Sequence, residues 1–211
     1  MRRVSLTALV VAAAAGLAGC AVEQAEGQDP TPTAPAAVRA DTLAGVARRI
    51  YRQEAGGAVG HAAVKRIARD RALLAALGSG DSAALRAAAL RQLFNPGKHV
   101  VRLSVTRGGR TLTDVGGAFV VAPAQLSLRG AVLEASMQDV IGYVKLVHRL
   151  TGAQIVVRGA SGHVESSFAA AARAPLPASG ATTVAGRTYM VRSFPEAGFG
   201  GESLQVWILS R

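Results

Sequence analysis

The chain has 211 residues and a mass of 21.5 kDa, with 24 Lys+Arg against 13 Asp+Glu and 50% hydrophobic residues. This length and apolar content fit one globular domain with short appendages and exclude a wholly disordered chain. The single cysteine, Cys20, excludes a disulfide scaffold.

The first twenty residues have the three parts of a secretory signal. Arg2 and Arg3 form a basic start, residues 6–17 form an apolar run, and Leu17-Ala18-Gly19-Cys20 has the form of a lipobox. The apolar run is short for a bilayer core about 30 Å thick, which needs roughly 20 residues. We therefore expect residues 1–19 to be a cleaved signal peptide. The alternative is an uncleaved membrane helix from Val4 to about Val22.

This start is similar to the signals of bacterial lipoproteins. The resemblance implies that the Cys20 sulfur carries a diacylglyceryl group, with acyl chains such as palmitate, and that Cys20 becomes the first residue of the mature chain. Two acyl chains hold a protein stably on a membrane, because each buried CH₂ contributes about 0.8 kcal/mol. We expect a protein anchored by lipid at the extracytoplasmic face of the cell membrane.

The segment after the lipobox predicts a spacer. Residues 20–38 contain three acidic residues, no basic residue and a proline-rich stretch from Asp29 to Pro35. Such sequences favour an extended, disordered chain that rises about 3.1 Å per residue. We expect a disordered tether over 20–38 and a folded domain over 39–211.

The folded part is strongly basic. Outside the signal and the spacer, 22 basic residues accompany 10 acidic ones, a net charge of +12 before histidines. Such a charge attracts phospholipid headgroups, anionic wall polymers or nucleic acid without selecting among them. Aromatic residues make up only 4% and the arginines are scattered, which argues against nucleic-acid recognition.

Helical periodicity dominates the first part of the domain. Apolar residues near a 3.6-residue period predict helix over 41–77, capped by Asp41 and weakened or broken at Gly56-Gly57. Gly78-Ser79-Gly80-Asp81 breaks and re-caps the chain, and a further helix contains Leu85, Ala89 and Leu93 before it ends at Asn95-Pro96-Gly97.

After His99 the apolar period changes to two. A hairpin is predicted with its turn at 107–110, the first strand over 101–105 and a return strand that continues past Gly116-Gly117 to Val121. A strand over 131–137, an Asp139-capped helix that ends at Gly152, and strands over 154–158, 163–167, 182–184, 188–194 and 203–209 follow. This order predicts an α+β domain in which long N-terminal helices pack on one face of an antiparallel sheet.

Four stretches in this order resemble the Cache family of extracytoplasmic sensor domains, which are PAS-like. They are Ile67 to Asp81, the strand pair from Val101 to Val121 with Asp114-Val115-Gly116-Gly117, the entry Ser136-Met137-Gln138-Asp139 into Gly142-Tyr143, and the turn Val156-Val157-Arg158-Gly159. The resemblance spans about Thr42 to Leu209. It implies a small-molecule pocket between the sheet and the segments that cover it, for organic acids, amino acids or similar metabolites.

Two departures from the family shape this expectation. Cache domains usually continue from their last strand into a transmembrane helix, whereas this sequence ends at Arg211, directly after Val206-Trp207-Ile208-Leu209. The Arg-x-Trp-Tyr motif of the amino-acid-binding members is absent. We therefore expect a small, anionic ligand other than an amino acid, and a signal that passes through a membrane-bound partner.

Five residues are candidates for ligand contact, each with a structural alternative. Arg158 offers a bidentate match to a carboxylate, but a strand-end arginine in solvent is the favoured alternative. Asp139 could accept a hydrogen bond from a ligand ammonium, but an N-cap of the following helix is favoured. Tyr143 could reach a pocket edge or pack in the core. Arg102 and Arg192 could face a pocket, although strand alternation favours solvent.

No residue pattern predicts catalysis, a metal or a cofactor. His99, His148 and His163 lie in different predicted elements, and the sequence has no nucleophile elbow, Ser-x-x-Lys or phosphate-binding loop. Our leading hypothesis is a non-enzymatic, lipid-anchored sensor of a small molecule. The alternative is a lipoprotein that binds no ligand and contacts a membrane protein or an anionic envelope polymer. An envelope hydrolase is a third hypothesis that rests on location alone.

Overall fold

The computed structural model describes residues 34–95 and 99–211, which belong to one compact unit. The predicted signal peptide, Cys20, most of the spacer and Pro96-Gly97 lie outside these residues. The described part is 42% helix and 35% strand, in agreement with the predicted α+β class.

Six α-helices and nine strands make up the described residues. The helices are α1 (Ala34–Gly56), α2 (Ala58–Ile67), α3 (Arg71–Ser79), α4 (Ser82–Leu93), α5 (Val140–Thr151) and α6 (Ala169–Ala172). The strands are β1 (Arg102–Arg107), β2 (Arg110–Gly116), β3 (Ala124–Leu128), β4 (Ala131–Ser136), β5 (Gln154–Gly159), β6 (Val164–Ser166), β7 (Ser179–Val184), β8 (Arg187–Ala197) and β9 (Ser203–Ser210).

The strands form two antiparallel sheets rather than the single sheet that we predicted. The first joins four strands in the order β2-β1-β4-β3, and the second joins five in the order β6-β5-β9-β8-β7. Period-two alternation identifies strands but not their partners, because pairing depends on contacts far apart in the chain. Between the sheets, Val120 and Val121 form only isolated bridges, to Asp139 and Gly198.

Each sheet has its own hydrophobic core. Leu103, Val105 and Leu133 of the first sheet pack against α2, α3 and α4. One face of the second sheet packs against α1 and α5 through residues such as Ile155 and Val206. Its other face is covered by α6 and the loop that follows. Helices α2, α3 and α4 therefore pack on the first sheet and α1, α5 and α6 pack on the second, whereas we had expected a single sheet.

Helix boundaries follow capping chemistry. Asp70, Asp81 and Asp139 accept hydrogen bonds from backbone N–H groups three residues ahead, at 2.9, 2.9 and 2.6 Å, and begin α3, α4 and α5. The predicted break at Gly56-Gly57 is confirmed, because α1 ends at Gly56 and α2 begins at Ala58. A side chain on Gly57 would lie 2.1 Å from the Gln53 carbonyl oxygen. The predicted helix over 41–77 also has a break that we did not predict, at residues 68–70, after which Asp70 caps the start of α3.

The start of α1 differs from the prediction in two ways. The helix begins at Ala34, so residues 34–38, which we had placed in the disordered spacer, are helical. Pro35 is compatible with this start, because the first helical turn has no partner for its N–H groups. Asp41 is therefore inside the helix and does not cap it. Its carboxylate instead accepts hydrogen bonds from Arg192.

The return strand of the first hairpin is shorter than predicted. β2 ends at Gly116, whose φ of +122° and close approach to Val101 exclude a side chain: a Cβ there would lie 2.3 Å from the Val101 carbonyl oxygen. β3 was not predicted at all. It pairs with β4 through a turn in which Arg129 and Gly130 both have positive φ, at 50° and 74°.

Two buried tyrosines connect α1 to its surroundings. The Tyr51 hydroxyl donates to the Ala197 carbonyl at 2.6 Å and accepts from the Ala122 N–H at 3.3 Å. The Tyr143 hydroxyl donates to the Ala47 carbonyl at 3.1 Å, and the two rings meet edge to face with centroids 5.2 Å apart. Burial raises the pKa of both hydroxyls, so both remain protonated donors.

No helix within the described ranges 34–95 and 99–211 is long and apolar enough to cross a membrane.

Tyr51→Phe and Tyr143→Phe should destabilise the fold unequally. Loss of the Tyr51 hydroxyl leaves the Ala122 N–H and the Ala197 carbonyl without this partner, which should cost about 1–2 kcal/mol. Loss of the Tyr143 hydroxyl should cost about 0.5–1 kcal/mol, because the Ala47 carbonyl lies within α1 and also accepts a helix bond. Urea unfolding of both variants measures the difference. Equal losses would contradict the role assigned to Tyr51.

Candidate functional site

The Arg158 guanidinium hydrogen bonds to the backbone at the C-terminal end of α6. Its Nη2 donates to the carbonyls of Ala171, Ala172 and Ala174, the last at 2.5 Å, and the group lies over the Trp207 ring at 4.9 Å. The carbonyls at a helix C-terminus have no partner within the helix, so an arginine there is stabilising. Arg158 therefore connects β5 to the helix that covers the sheet.

Asp139 and Tyr143 both have structural partners at α5. The Asp139 carboxylate is the N-cap of the helix, which confirms the capping alternative for this residue. Tyr143 is fully buried and bonded to α1. Neither residue lines either of the two cavities described below.

Arg102 and Arg192 each pair with a carboxylate. Arg102 donates to Asp114 through Nε at 3.0 Å and Nη2 at 2.7 Å, and lies over the Phe199 ring at 4.5 Å. The Asp114 hydrogen bond raises the pKa of Arg102. Arg192 pairs with Asp41 on α1. The five predicted contacts are therefore spread over several places in the fold and have partners within the chain.

Side chains fill the face of the second sheet that α6 covers. Val156, Val191 and Leu209 of the sheet pack there with aromatic and aliphatic groups from the cover. The covering residues are Phe168, Ala174, Leu176 and Trp207, and the Trp207 Nε1 donates to the Pro177 carbonyl at 3.1 Å. Protein side chains therefore fill the space between the second sheet and α6, where we had expected a pocket.

A cavity of about 300 Å³ lies instead at the end of the second sheet where β8 begins and β9 ends. This volume is at the lower end of the range for small-molecule sites. Its walls come from α1, the α5–β5 connection, the residue before α6, and the ends of β8 and β9. The lining residues are Arg39, Leu43, Thr151, Gly152, Ala153, Gln154, Phe168, Arg187, Tyr189, Leu209, Ser210 and Arg211. We call this the arginine cavity.

The arginine cavity has a one-sided charge. Three exposed arginines, Arg39, Arg187 and Arg211, line it, and none of its lining side chains is acidic. Arg211 is oriented by Tyr189: its Nη2 donates to the tyrosine hydroxyl at 3.3 Å, and the guanidinium lies 5.3 Å from the ring centroid. Guanidinium groups match carboxylate and phosphate oxygens, so the arrangement is suited to an anion.

A buried hydroxyl in the same lining has no partner. Ser210 is only 3% exposed, and its Oγ makes no hydrogen bond within the described ranges. A buried hydroxyl without a partner is destabilising. Because the Oγ atom itself has almost no accessible surface, it is not a contact that the cavity offers to a ligand.

None of the cavity arginines was among the predicted contacts. Arg39 was placed at the spacer boundary, and Arg187 and Arg211 at the ends of strands. One signal was available: if the last two strands pair antiparallel, the start of the first and the end of the second meet at the same edge. The observed pair Met190 with Ser210 has this register. The approach of α1 to that edge has no local sequence signal.

A second cavity, of about 250 Å³, has mixed charge. It is lined by Asp41, Ala44, Gly45, Arg48, Arg192, Ser193 and Phe194. Arg48 lies over the Phe194 ring at 4.7 Å and 3.7 Å from the carboxylate of Glu196. Burial raises the pKa of Glu196 even though Arg52 and Arg48 oppose the shift. Internal ion pairs thus neutralise the cations here.

Ser161 and His163 form a pair on the exposed turn between β5 and β6. The Ser161 Oγ lies 2.8 Å from His163 Nδ1 and hydrogen bonds to the Glu202 carboxylate, while the imidazole stacks on Phe119. In a hydrolytic triad the carboxylate orients the histidine. Here it binds the serine, and the pair lies on an exposed turn rather than in a cleft. This geometry gives the hydrolase hypothesis no support.

The histidines do not converge on a metal site. His148 Nδ1 lies 2.7 Å from the Ala153 carbonyl oxygen, and His163 is bound at the β5–β6 turn. Within residues 34–95 and 99–211, no group of three or more His, Cys, Asp or Glu side chains is arranged to hold a metal ion.

Comparison with known proteins gives no assignment. No family model matches the chain, no curated protein is similar to it, and no solved structure matches its fold.

Glu196→Gln should change how stability depends on pH. Because the folded-state pKa of Glu196 is raised, the ionised carboxylate destabilises the fold at neutral pH, and this penalty disappears as the pH falls below that pKa. We expect the variant to melt slightly above the parent at pH 7 and the gap to close near pH 4. Thermal unfolding across this range, with Glu165→Gln as a charge-matched control, tests it. A variant that melts below the parent at pH 7 would mean that the arginine contacts dominate.

Proposed function

We propose that this protein is a non-enzymatic, lipid-anchored sensory domain that binds a small anion in the arginine cavity on the extracytoplasmic face of the cell membrane. The observation that carries the proposal is that three arginines, and no acidic side chain, line a cavity of about 300 Å³. The lipobox in the sequence supports the location. The ligand contacts that we propose are Arg39, Arg187 and Arg211, in place of the five residues expected from the sequence.

The strand order of the second sheet supports the PAS-like part of the proposal. Counted from β5, its five strands lie in the order second, first, fifth, fourth, third, which is similar to the order in PAS domains. α6 lies between the second and third of these strands, and the long α1 packs on the opposite face. Because a fold does not determine a function, the ligand is argued from the cavity alone.

The cavity residues also suggest how a bound anion would reach a partner. Arg39 lies on α1, whereas Arg187 and Arg211 lie at the ends of β8 and β9. An anion between them would bridge the helix and the sheet and remove the repulsion among the cations. A membrane-bound signalling protein that contacts α1 would then detect the occupied state.

A saturating anion should stabilise the protein. Binding to the native state alone contributes about 2.7 kcal/mol at 100 times Kd, which is roughly 5–10 °C in Tm for a domain of this size. We would screen phosphate, sulfate, acetate, succinate and glycerol 1-phosphate by thermal shift, using the chain from residue 20 with Cys20→Ala to avoid acylation.

The control separates this cavity from the overall positive charge. Arg187→Gln should abolish the shift, whereas Arg110→Gln removes the same charge from the exposed β1–β2 turn and should retain it. Equal loss in the two variants would reduce the effect to nonspecific attraction. No shift with any anion would contradict the proposed function.

Lipid attachment should depend on one residue. Cells grown with labelled palmitate should incorporate label into the protein, and the protein should partition into detergent on phase separation. Cys20→Ala should abolish both, because the sequence contains no other cysteine. Label retained by the variant would contradict anchoring at the lipobox.

The filled face of the second sheet favours one other function. Phe168, Trp207 and Arg158 occupy the space beneath α6 where a PAS-like pocket was expected. A protein that retained this shell without a ligand would act as an interaction module for a membrane protein or an anionic envelope polymer. Crosslinking in cells would distinguish the two functions, because only the interaction module would need to contact a partner when no small anion is bound.

A further inference from the structure

The arginine cavity lies close to the point where the spacer enters the domain. α1 begins at Ala34, and Arg39 is five residues further, about 8 Å along the helix axis. Thirteen residues separate Cys20 from Ala34, and even a fully extended chain over this distance in sequence spans at most about 50 Å. If Cys20 is acylated, the cavity can therefore reach the surface of the membrane that holds the anchor.

Exposed apolar side chains adjoin the cavity residues. Val38 is 64% exposed and precedes Arg39 in α1. Leu150 is 62% exposed and precedes Thr151, another residue of the lining. Neighbouring cationic and apolar groups are typical of surfaces that bind at a lipid interface, where the cations contact headgroups and the apolar groups enter the acyl boundary.

The charge of the lining favours an anionic headgroup over a neutral one. Three arginines line the cavity, and none of its lining side chains is acidic. The unesterified oxygens of a phosphodiester accept hydrogen bonds from guanidinium groups, and phosphatidylglycerol has no cationic group that would repel them.

We infer that the arginine cavity takes the headgroup phosphate of an anionic phospholipid, so that the α1 end of the domain docks on the membrane to which Cys20 is anchored. This inference rests on the proposed function, because it requires both the anchor and anion binding in the cavity. It adds the ligand class and its source. A free phosphate ester has the same chemistry, and the test separates the two sources.

The test uses the full lipidated protein reconstituted in bilayers and measures amide hydrogen exchange. Three conditions are compared: phosphatidylcholine alone, phosphatidylcholine with soluble glycerol 1-phosphate, and phosphatidylcholine with phosphatidylglycerol. We expect phosphatidylglycerol to protect the amides near the cavity, at residues 34–45 and 185–190, and high salt to weaken this protection.

Two variants examine the site itself, and a third is the control. Arg39→Gln and Arg187→Gln should each require about fivefold more phosphatidylglycerol for half-maximal protection, whereas Arg110→Gln should require the same amount as the parent. Protection that is insensitive to both Arg39→Gln and Arg187→Gln would overturn entry of the phosphate into the cavity.

The conditions also separate the two proposals. Protection by soluble glycerol 1-phosphate but not by phosphatidylglycerol would overturn the lipid source and leave anion sensing in place. Protection by neither would overturn both. Protection by phosphatidylglycerol that is equally lost in Arg110→Gln would overturn the assignment to this cavity.

Discussion

One buried hydroxyl connects α1 to backbone segments of both sheets. Tyr51, near the end of α1, accepts from the Ala122 N–H, between β2 and β3 of the first sheet, and donates to the carbonyl of Ala197, the last residue of β8 in the second. No ladder of strands joins the two sheets, and between them the chain forms only isolated bridges at Val120 and Val121. A tyrosine suits this place because its ring packs in the core while its hydroxyl both donates and accepts.

The packing of the second sheet explains why the arginine cavity is at its edge. The sheet is covered by α1 and α5 on one side and by α6 on the other, and apolar side chains fill both interfaces except at the mixed-charge cavity between α1 and β8. Open space remains where the covers end, at the start of β8 and the end of β9. Because strand ends and a helix side meet there, long arginine side chains from separate segments can surround one volume.

Local chemistry made much of the fold predictable. Asp81 and Asp139 identified helix starts, Gly152 identified a helix end, and alternation identified most strands, because each depends on a few neighbouring residues. The division into two sheets and strand β3 were not predictable in this way. Two of the five predicted ligand contacts are charged groups that instead fix the ends of helices. Arg158 does so for α6, and Asp139 for α5.

The position of α1 has a mechanical consequence. The helix follows the predicted tether directly and packs along β8 and β9, whose hydrogen bonds connect them to the rest of the second sheet. If Cys20 carries the proposed lipid anchor, a pull on the anchor would enter the described domain at the start of α1 and load the contacts of this helix with β8 and β9. Because Arg39 lies on α1 and Arg187 and Arg211 lie at the ends of these strands, an anion bound in the arginine cavity would oppose separation of the helix from the second sheet.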